Sequence, residues 1–284
     1  METAHFTIQY CPVPETLMPL VESIFYTDVN QAGHGRFDDV IFPAWGSLRF
    51  QYGEAWQSWV RGSEEPLECS FAVTGPRTQE MRFSMGTGRQ WGFRLLPLGW
   101  ATLIGVHADR YANAIADGDV DEAFVRFRPL SAILGTDASP GEQYDRLVAF
   151  LAGLSHYRVA NVELTEQIAA AVVDPRMRTA AQLAETTGAN PRTLERACRA
   201  VFGFTPKMLL RRQRFLRSLE HYARDPALRW VGAMDQNYHD QAQFVRDFRF
   251  FMGMTPRQYA ALEKPVNSLL MRERLRTHDR SRED

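Results

Sequence analysis

The apolar positions along this 284-residue chain change period near its middle. From about 5 to 95 they alternate in short β-branched and aromatic runs, such as Phe6-Thr7-Ile8-Gln9-Tyr10, Ser47-Leu48-Arg49-Phe50-Gln51-Tyr52 and Met81-Arg82-Phe83-Ser84-Met85, with turn residues including Gly46, Gly53, Gly62, Gly75-Pro76 and Gly88 between them. Many short strands at this spacing predict a small antiparallel barrel or sandwich. From Pro97 the texture turns helical, with helices expected near 98–105, 108–116 and 140–153. Beyond about 162 only helical periodicity is visible, and it predicts seven helices near 163–173, 179–187, 191–202, 206–223, 228–236, 241–251 and 256–262. The expected fold class is α+β with two domains: a barrel with its following helices over 1–157, and an all-α domain over 158–264. A short helix fraying into a charged tail is expected over 265–284.

The helical half repeats itself at an offset of fifty residues. Phe202-Gly203-Phe204-Thr205-Pro206-Lys207 returns as Met252-Gly253-Met254-Thr255-Pro256-Arg257, and upstream Leu194 answers to Phe244, Arg196 to Arg246, Arg199 to Arg249 and Asn190 to Asp240. In the first copy a short helix ends at Gly188, whose backbone is free to take positive φ. Asn190 then caps the next helix and Pro191 opens it. This is helix-turn-helix grammar. Leu194, Ala197 and Val201 form an inward stripe, leaving Arg192, Thr193, Glu195, Arg196 and Arg199 outside. The second copy places Asp240 as the cap, Phe244, Phe248 and Phe251 inside, and Gln241, Gln243, Val245, Arg246 and Arg249 outside. Glutamine matches adenine, and arginine matches guanine or phosphate. If helical, the 206–223 spacer is roughly 27 Å long. That length suits two recognition helices set about one DNA turn, near 34 Å, apart.

Charge sharpens the picture. Residues 1–159 carry 12 basic and 19 acidic side chains, whereas 160–284 carry 21 and 15, so a formal charge of −1 conceals two halves of opposite sign. The basic half is the helical one, as a polyanionic partner requires. Three widely spaced cysteines, Cys11, Cys69 and Cys198, exclude a CxxC metal site and suggest a reducing compartment. No apolar run is long enough to span a membrane, and a cytoplasmic location is expected.

These residues, in this order, resemble the C-terminal DNA-binding domain of the AraC/XylS family of bacterial transcription regulators. The resemblance covers about 162–262. Its most specific part is Asp240-x-x-x-Phe244-x-Arg246-x-Phe248 followed by Gly253-x-Thr255-Pro256-x-x-Tyr259. It implies two helix-turn-helix units joined by a linker helix, with 191–202 and 241–251 as the recognition helices on double-stranded promoter DNA. Five residues at three places depart from the family pattern. Asn237-Tyr238 replaces a usual Gly-Phe, with asparagine expected to accept a left-handed backbone. Ala242-Gln243 replaces a usual Ser-His, and Cys198 a frequent phenylalanine. The segments around Gly75-Pro76-Arg77-Thr78 and Trp91-Gly92-Phe93-Arg94-Leu95-Leu96-Pro97 resemble cupin-like sensor domains, which implies a small-molecule effector, a homodimer, or both. RNA polymerase is a further candidate partner. Trp45, Trp56, Trp59 and Trp91 are candidates to line a barrel pocket, although aromatic residues on strands are more often core.

Two other classes compete with this reading. A cupin-type metal enzyme needs clustered ligands, but His5, His34 and His107 are scattered, with no His-x-His pair. No nucleophile elbow, phosphate loop or dinucleotide fingerprint is present, so no cofactor and no catalysis are expected. A helical protein-interaction module remains the other alternative.

Overall fold

The computed structural model describes residues 5–30, 35–225 and 230–283, with the backbone alone described at 5, 231 and 277–283. Ten strands occupy the N-terminal half: β1 (His5–Cys11), β2 (Val21–Asn30), β3 (Phe37–Ile41), β4 (Ser47–Gly53), β5 (Gln57–Val60), β6 (Leu67–Glu68), β7 (Phe71–Thr74), β8 (Met81–Met85), β9 (Gly88–Leu95) and β10 (Ile115–Asp117). They form a six-stranded sheet ordered β1-β2-β9-β4-β7-β10 and a four-stranded sheet ordered β3-β8-β5-β6. Neighbouring strands are antiparallel. Together the two sheets make the expected antiparallel barrel.

Alternation along β4 shows how the larger sheet is covered. Leu48 pairs with Phe93 and Val73, and Phe50 with Trp91 and Phe71, so their side chains share one face. That face packs on Phe124, Phe127, Leu130, Leu147 and Leu151. These come from the turn Glu122–Phe127 and from the helices α2 (Pro129–Leu134) and α3 (Pro140–Gly153), which follow α1 (Pro97–Gly99) in the chain. The opposite face carries Arg49, Gln51, Thr74 and Gln90, and it too is buried, because it lines the inside of the barrel.

Two expectations fail between the halves of the chain. The helix expected near 108–116 is a single 3₁₀ turn, Ala108–Tyr111, followed by β10. Asn113 takes φ 58°, and the chain beyond it pairs with β7, so strand pairing overrides the local helical texture. The charged tail is instead α11 (Pro265–Glu283), a helix docked on the molecule. Its Val266, Leu270 and Met271 are buried. The Asn267 backbone N–H donates to Asp39 Oδ2 at 2.9 Å, and Arg274 Nε donates to Glu220 Oε1 at 2.6 Å. Five apolar residues in a highly charged window are too few to announce a face until β3 and the linker helix supply something to bury them against.

The seven predicted helices are α4 (Val162–Val173), α5 (Ala180–Thr187), α6 (Pro191–Ala197), α7 (Pro206–Arg224), α8 (Trp230–Ala233), α9 (Gln241–Met252) and α10 (Pro256–Ala261). The start of the helix expected near 228–236 falls on 226–229, outside the described residues. One apolar cluster joins Leu164, Ile168, Leu183, Leu194, Cys198 and Leu209 from α4 through the start of α7, with Trp45 of the barrel half against it. Another joins Phe215, Phe244, Phe248, Phe251 and Leu270 to Val40, Phe42, Trp56 and Phe83 of the strands. Barrel and helices therefore share core.

Candidate nucleic-acid interface

Each helix pair is built as its local chemistry dictates. In the first, Thr179 and Gln182 form a capping box at the start of α5, and Gly188 ends that helix at φ 63°. Asn190 Oδ1 accepts from the Thr193 backbone N–H at 2.9 Å, fixing the start of α6. The helix then widens into a π turn, Cys198–Phe202, and stops at Gly203, φ 83°. In the second, Asp240 Oδ1 accepts from the Gln243 N–H at 2.6 Å and Gly253 ends α9 at φ 68°. Both caps and both terminal glycines thus sit where the sequence placed them, and Pro206 and Pro256 open the following helices.

The turn of the second pair is made differently from expectation. Asn237 does not take a left-handed backbone; Asn113 is the single non-glycine residue with positive φ among the described residues. The neighbouring Asp235 makes the turn instead. Its Oδ1 accepts from the Asn237 N–H at 2.9 Å, and its backbone oxygen accepts from the Tyr238 N–H at 3.0 Å. An Asx turn of this kind needs no positive φ.

The outward residues divide into exposed and engaged groups. Arg192, Glu195, Arg196 and Arg199 on α6 are exposed and Thr193 is half-buried. Glu195 and Arg199 pair across one helical turn at 3.0 Å. On α9, Gln241, Arg246 and Arg249 are exposed. Gln243 is partly committed, since its Oε1 accepts from the His239 N–H at 3.0 Å, closing the cap of α9. Where α6 approaches the barrel half, His107 and Asp109 face Arg192, Glu195, Arg196 and Arg199 across a surface groove of about 560 Å³.

The linker helix α7 holds the two units by different means. The first is held by apolar contact through Leu209 and Leu210. The second is held by a polar network centred on Asp247, a buried carboxylate on the inner side of α9. It accepts from Arg211 Nε at 2.8 Å, Arg214 Nη2 at 3.0 Å and Tyr238 Oη at 3.1 Å. Burial, and after it the charge of Asp247, raises the Tyr238 hydroxyl pKa well above its ordinary value, so this phenol stays a donor. Arg217 pairs with Asp235 at 2.5 Å, and Ser218 Oγ accepts from the Asp235 N–H at 2.8 Å. The spacer arginines are therefore not a solvated row. Arg211, Arg214 and Arg217 clamp the second unit, and Arg212 is buried against Trp45.

Sequence reasoning overlooked Asp247 and Asp235, and it also overlooked the arginines inside the barrel. A charged residue at position 247, between the inward Phe244 and Phe248, was the available signal. Of the four tryptophans, Trp45 and Trp56 line the barrel cavity and Trp59 lines a separate groove, while Trp91 is core, donating to Gln143 Oε1 at 2.7 Å. Among the described residues no three His, Cys, Asp or Glu side chains gather as metal ligands, and no helix is long and apolar enough to cross a membrane. His34 lies outside the described residues.

Residues 183–261 match the family model of a helix-turn-helix domain. Among solved structures, the chain is similar to ToxT from Vibrio cholerae, at 9% identity over 91% of this chain and 98% of that chain, with a TM-score of 0.46. A structure of ToxT with an unsaturated fatty acid bound has 10% identity over 91% and 95% of the two chains and a TM-score of 0.45. The AraC-like transcriptional activator CuxR has 14% identity over 71% and 78%, with a TM-score of 0.27. No curated relative matches the chain. The matched stretch coincides with the two capped helix pairs. Residues 183–261 are a helix-turn-helix domain, the module with which DNA-binding transcription regulators hold DNA.

Proposed function

We propose that α6 and α9 enter adjacent major-groove segments of double-stranded promoter DNA, reading two unlike half-sites. Arg192, Thr193, Glu195, Arg196 and Arg199 face one, and Gln241, Gln243, Arg246 and Arg249 the other. The observation that carries this reading is that two capped helices with exposed arginines hang on one continuous helix. The 19 residues of α7 span roughly 28 Å at 1.5 Å per residue. The outward faces differ, Arg192-Thr193 against Ala242-Gln243, while the scaffolds agree, as an asymmetric operator needs. Residues 158–264 form the DNA-binding domain in this reading. Residues 1–157 form the sensor, acting through a small effector, a second copy of the chain, or both. The setting is cytoplasmic, RNA polymerase is the partner beyond DNA, and catalysis has no part.

The test is titration of the full chain with duplexes selected from its own genome and with random duplex. Selected duplex should bind on the order of a thousandfold more tightly, with affinity falling steeply as salt rises. Equal, salt-insensitive binding to both would favour a protein-interaction module instead.

A further inference from the structure

The segment that joins β7 to β8, Gly75-Pro76-Arg77-Thr78-Gln79-Glu80, is built unlike a surface loop. Connecting segments ordinarily run in water, but here every residue except Gln79 is buried. Its backbone is tied to the barrel half almost step by step. The Gly75 N–H donates to the Ala114 oxygen at 3.0 Å, the Arg77 N–H to the Ala44 oxygen at 2.9 Å and the Thr78 N–H to Asn113 Oδ1 at 2.7 Å. The Pro76 oxygen accepts from the Asn113 N–H at 2.9 Å, and the proline ring fixes one more backbone angle. The segment is therefore stiff.

Its two ends lie against the C-terminal ends of α6, with its π turn, and of α9. A Cβ on Gly203, where the first of these helices stops, would come within 2.7 Å of Pro76 Cγ and 3.3 Å of the Ala108 oxygen. A Cβ on Gly253, where the second stops, would collide with Glu80 Oε1. Glu80 is itself buried and pairs with Arg61, which follows β5. Arg61 then reaches across to the helical half, and its Nη1 donates to the Phe250 backbone oxygen at 2.7 Å. Phe250 lies in the last turn of α9, where backbone carbonyls run out of partners within the helix. A cation there also meets the negative end of the helix dipole. The barrel half thus supplies part of the C-terminal cap of α9.

One short, stiff segment therefore touches the ends of both helices. From Pro76 to Glu80 it covers at most about 14 Å, half the length of α7. We propose that residues 76–80, with Arg61 at one end, are a spacer bar that sets the separation and tilt of α6 and α9. The barrel, and not α7 alone, then fixes the half-site spacing the chain accepts. Arg61 is the positioning residue of the second unit, acting through α9 and not on the DNA. The inference rests on the reading in which both helices enter the major groove. It is compatible with that docking, because the N-terminal residues of such helices meet base edges and leave the C-terminal ends to the barrel.

Titrations of full-length wild type, R61A and R128A with the selected duplex test this. Arg61 is 31% exposed at its side chain, so its removal should leave the chain folded. Arg128 is a matched control inside the barrel half, pairing with Glu122 at 3.0 Å and donating to the Gly118 oxygen at 3.1 Å. Each chain meets the intact site, the site with either half scrambled, and the site with one base pair inserted between the halves. For the wild type every change should weaken binding sharply. In R61A the penalties for the inserted base pair and for scrambling one half-site, that under α9, should shrink about three- to tenfold, the usual size of an indirect coupling. The penalty at the other half-site should stand, and R128A should behave as wild type. Loss of folded protein lowers the active fraction without altering these ratios, so they separate positioning from stability. Wild-type penalties retained in R61A overturn the spacer bar, as does equal shrinkage at both half-sites or the same shrinkage in R128A. A wild-type chain that does not distinguish intact from scrambled duplex overturns the DNA reading itself, and the spacer bar with it.

Discussion

Asp247→Ala removes the acceptor that fastens α9 to α7. Asp247 is 3% exposed, and its carboxylate accepts three hydrogen bonds, two of them from arginines. Net values of about 1.5–3 kcal/mol per charged hydrogen bond would sum to far more than is realised, because the freed arginines recover part of their hydration. Arg211 and Arg214 are 29% and 20% exposed at their side chains, so water reaches both, whereas the Tyr238 hydroxyl stays buried and loses its acceptor. The expected loss is about 3 kcal/mol of unfolding free energy, at the lower end of the range for breaking a buried ion pair. Urea denaturation followed by tryptophan fluorescence measures it, since Trp230 packs on Phe244 and Phe248 of the same helix at ring distances of 5.9 and 5.0 Å. A double-mutant cycle with Arg214→Ala should return a coupling of about 0.5–3 kcal/mol. Specific-site affinity should fall while random-duplex affinity, carried by charge, changes little. A D247A loss below about 0.5 kcal/mol, within the range of ordinary surface substitutions, would refute the clamp.

Three further outcomes are expected. Arg246→Ala should cost roughly 1–3 kcal/mol at the specific duplex if its guanidinium reads a base, and a loss uniform over all duplexes, seen by fluorescence anisotropy, would make it a phosphate anchor. Asn190→Ala and Asp240→Ala should each lower unfolding free energy by about 1 kcal/mol, and replacement by glycine should cost less; stability unchanged in both alanine variants would remove the caps from the account. Burial, and after it the charge of Glu195, pushes the Cys198 thiol pKa from 9.0 up to about 12. Since the folded state keeps the proton longer, this contribution is intact below pH 9 and is lost as pH rises from 9 toward 12, by at most about 1.4 kcal/mol per pH unit. Denaturation of wild type and Cys198→Ala at pH 8 and 10 should show the wild type losing more, and parallel losses would contradict it.

How much was legible follows from the range of each interaction. Caps, helix-ending glycines and helix-opening prolines act within four residues. Asn190, Gly203, Pro206 and their counterparts fifty residues on could therefore be placed from composition alone. The turn of the second unit was misassigned because two local devices compete there. Asn237 can take positive φ, but Asp235 accepts two residues ahead and makes that unnecessary. The carbonyl end of Gln243 closes a cap as well, a return contact that helical periodicity alone does not reveal.

Period-two alternation likewise established which residues share a face of β4, but not what covers each face. Arg49 and Gln51 lie opposite Leu48 and Phe50, which in a one-sided sheet would put them in water. Closure of the second sheet over them puts them inside. The same holds for Arg212, polar by its helical position until the barrel packs on α7, and for α11, whose few apolar residues become a face only against β3 and the linker helix. By itself the sequence determined the elements, their caps and the duplicated unit, because these arise from hydrogen bonds and steric limits between residues near in the chain. Tertiary structure alone decided which charges are buried and which helix is clamped to which, because burial and pairing depend on surfaces brought together from distant parts of the chain.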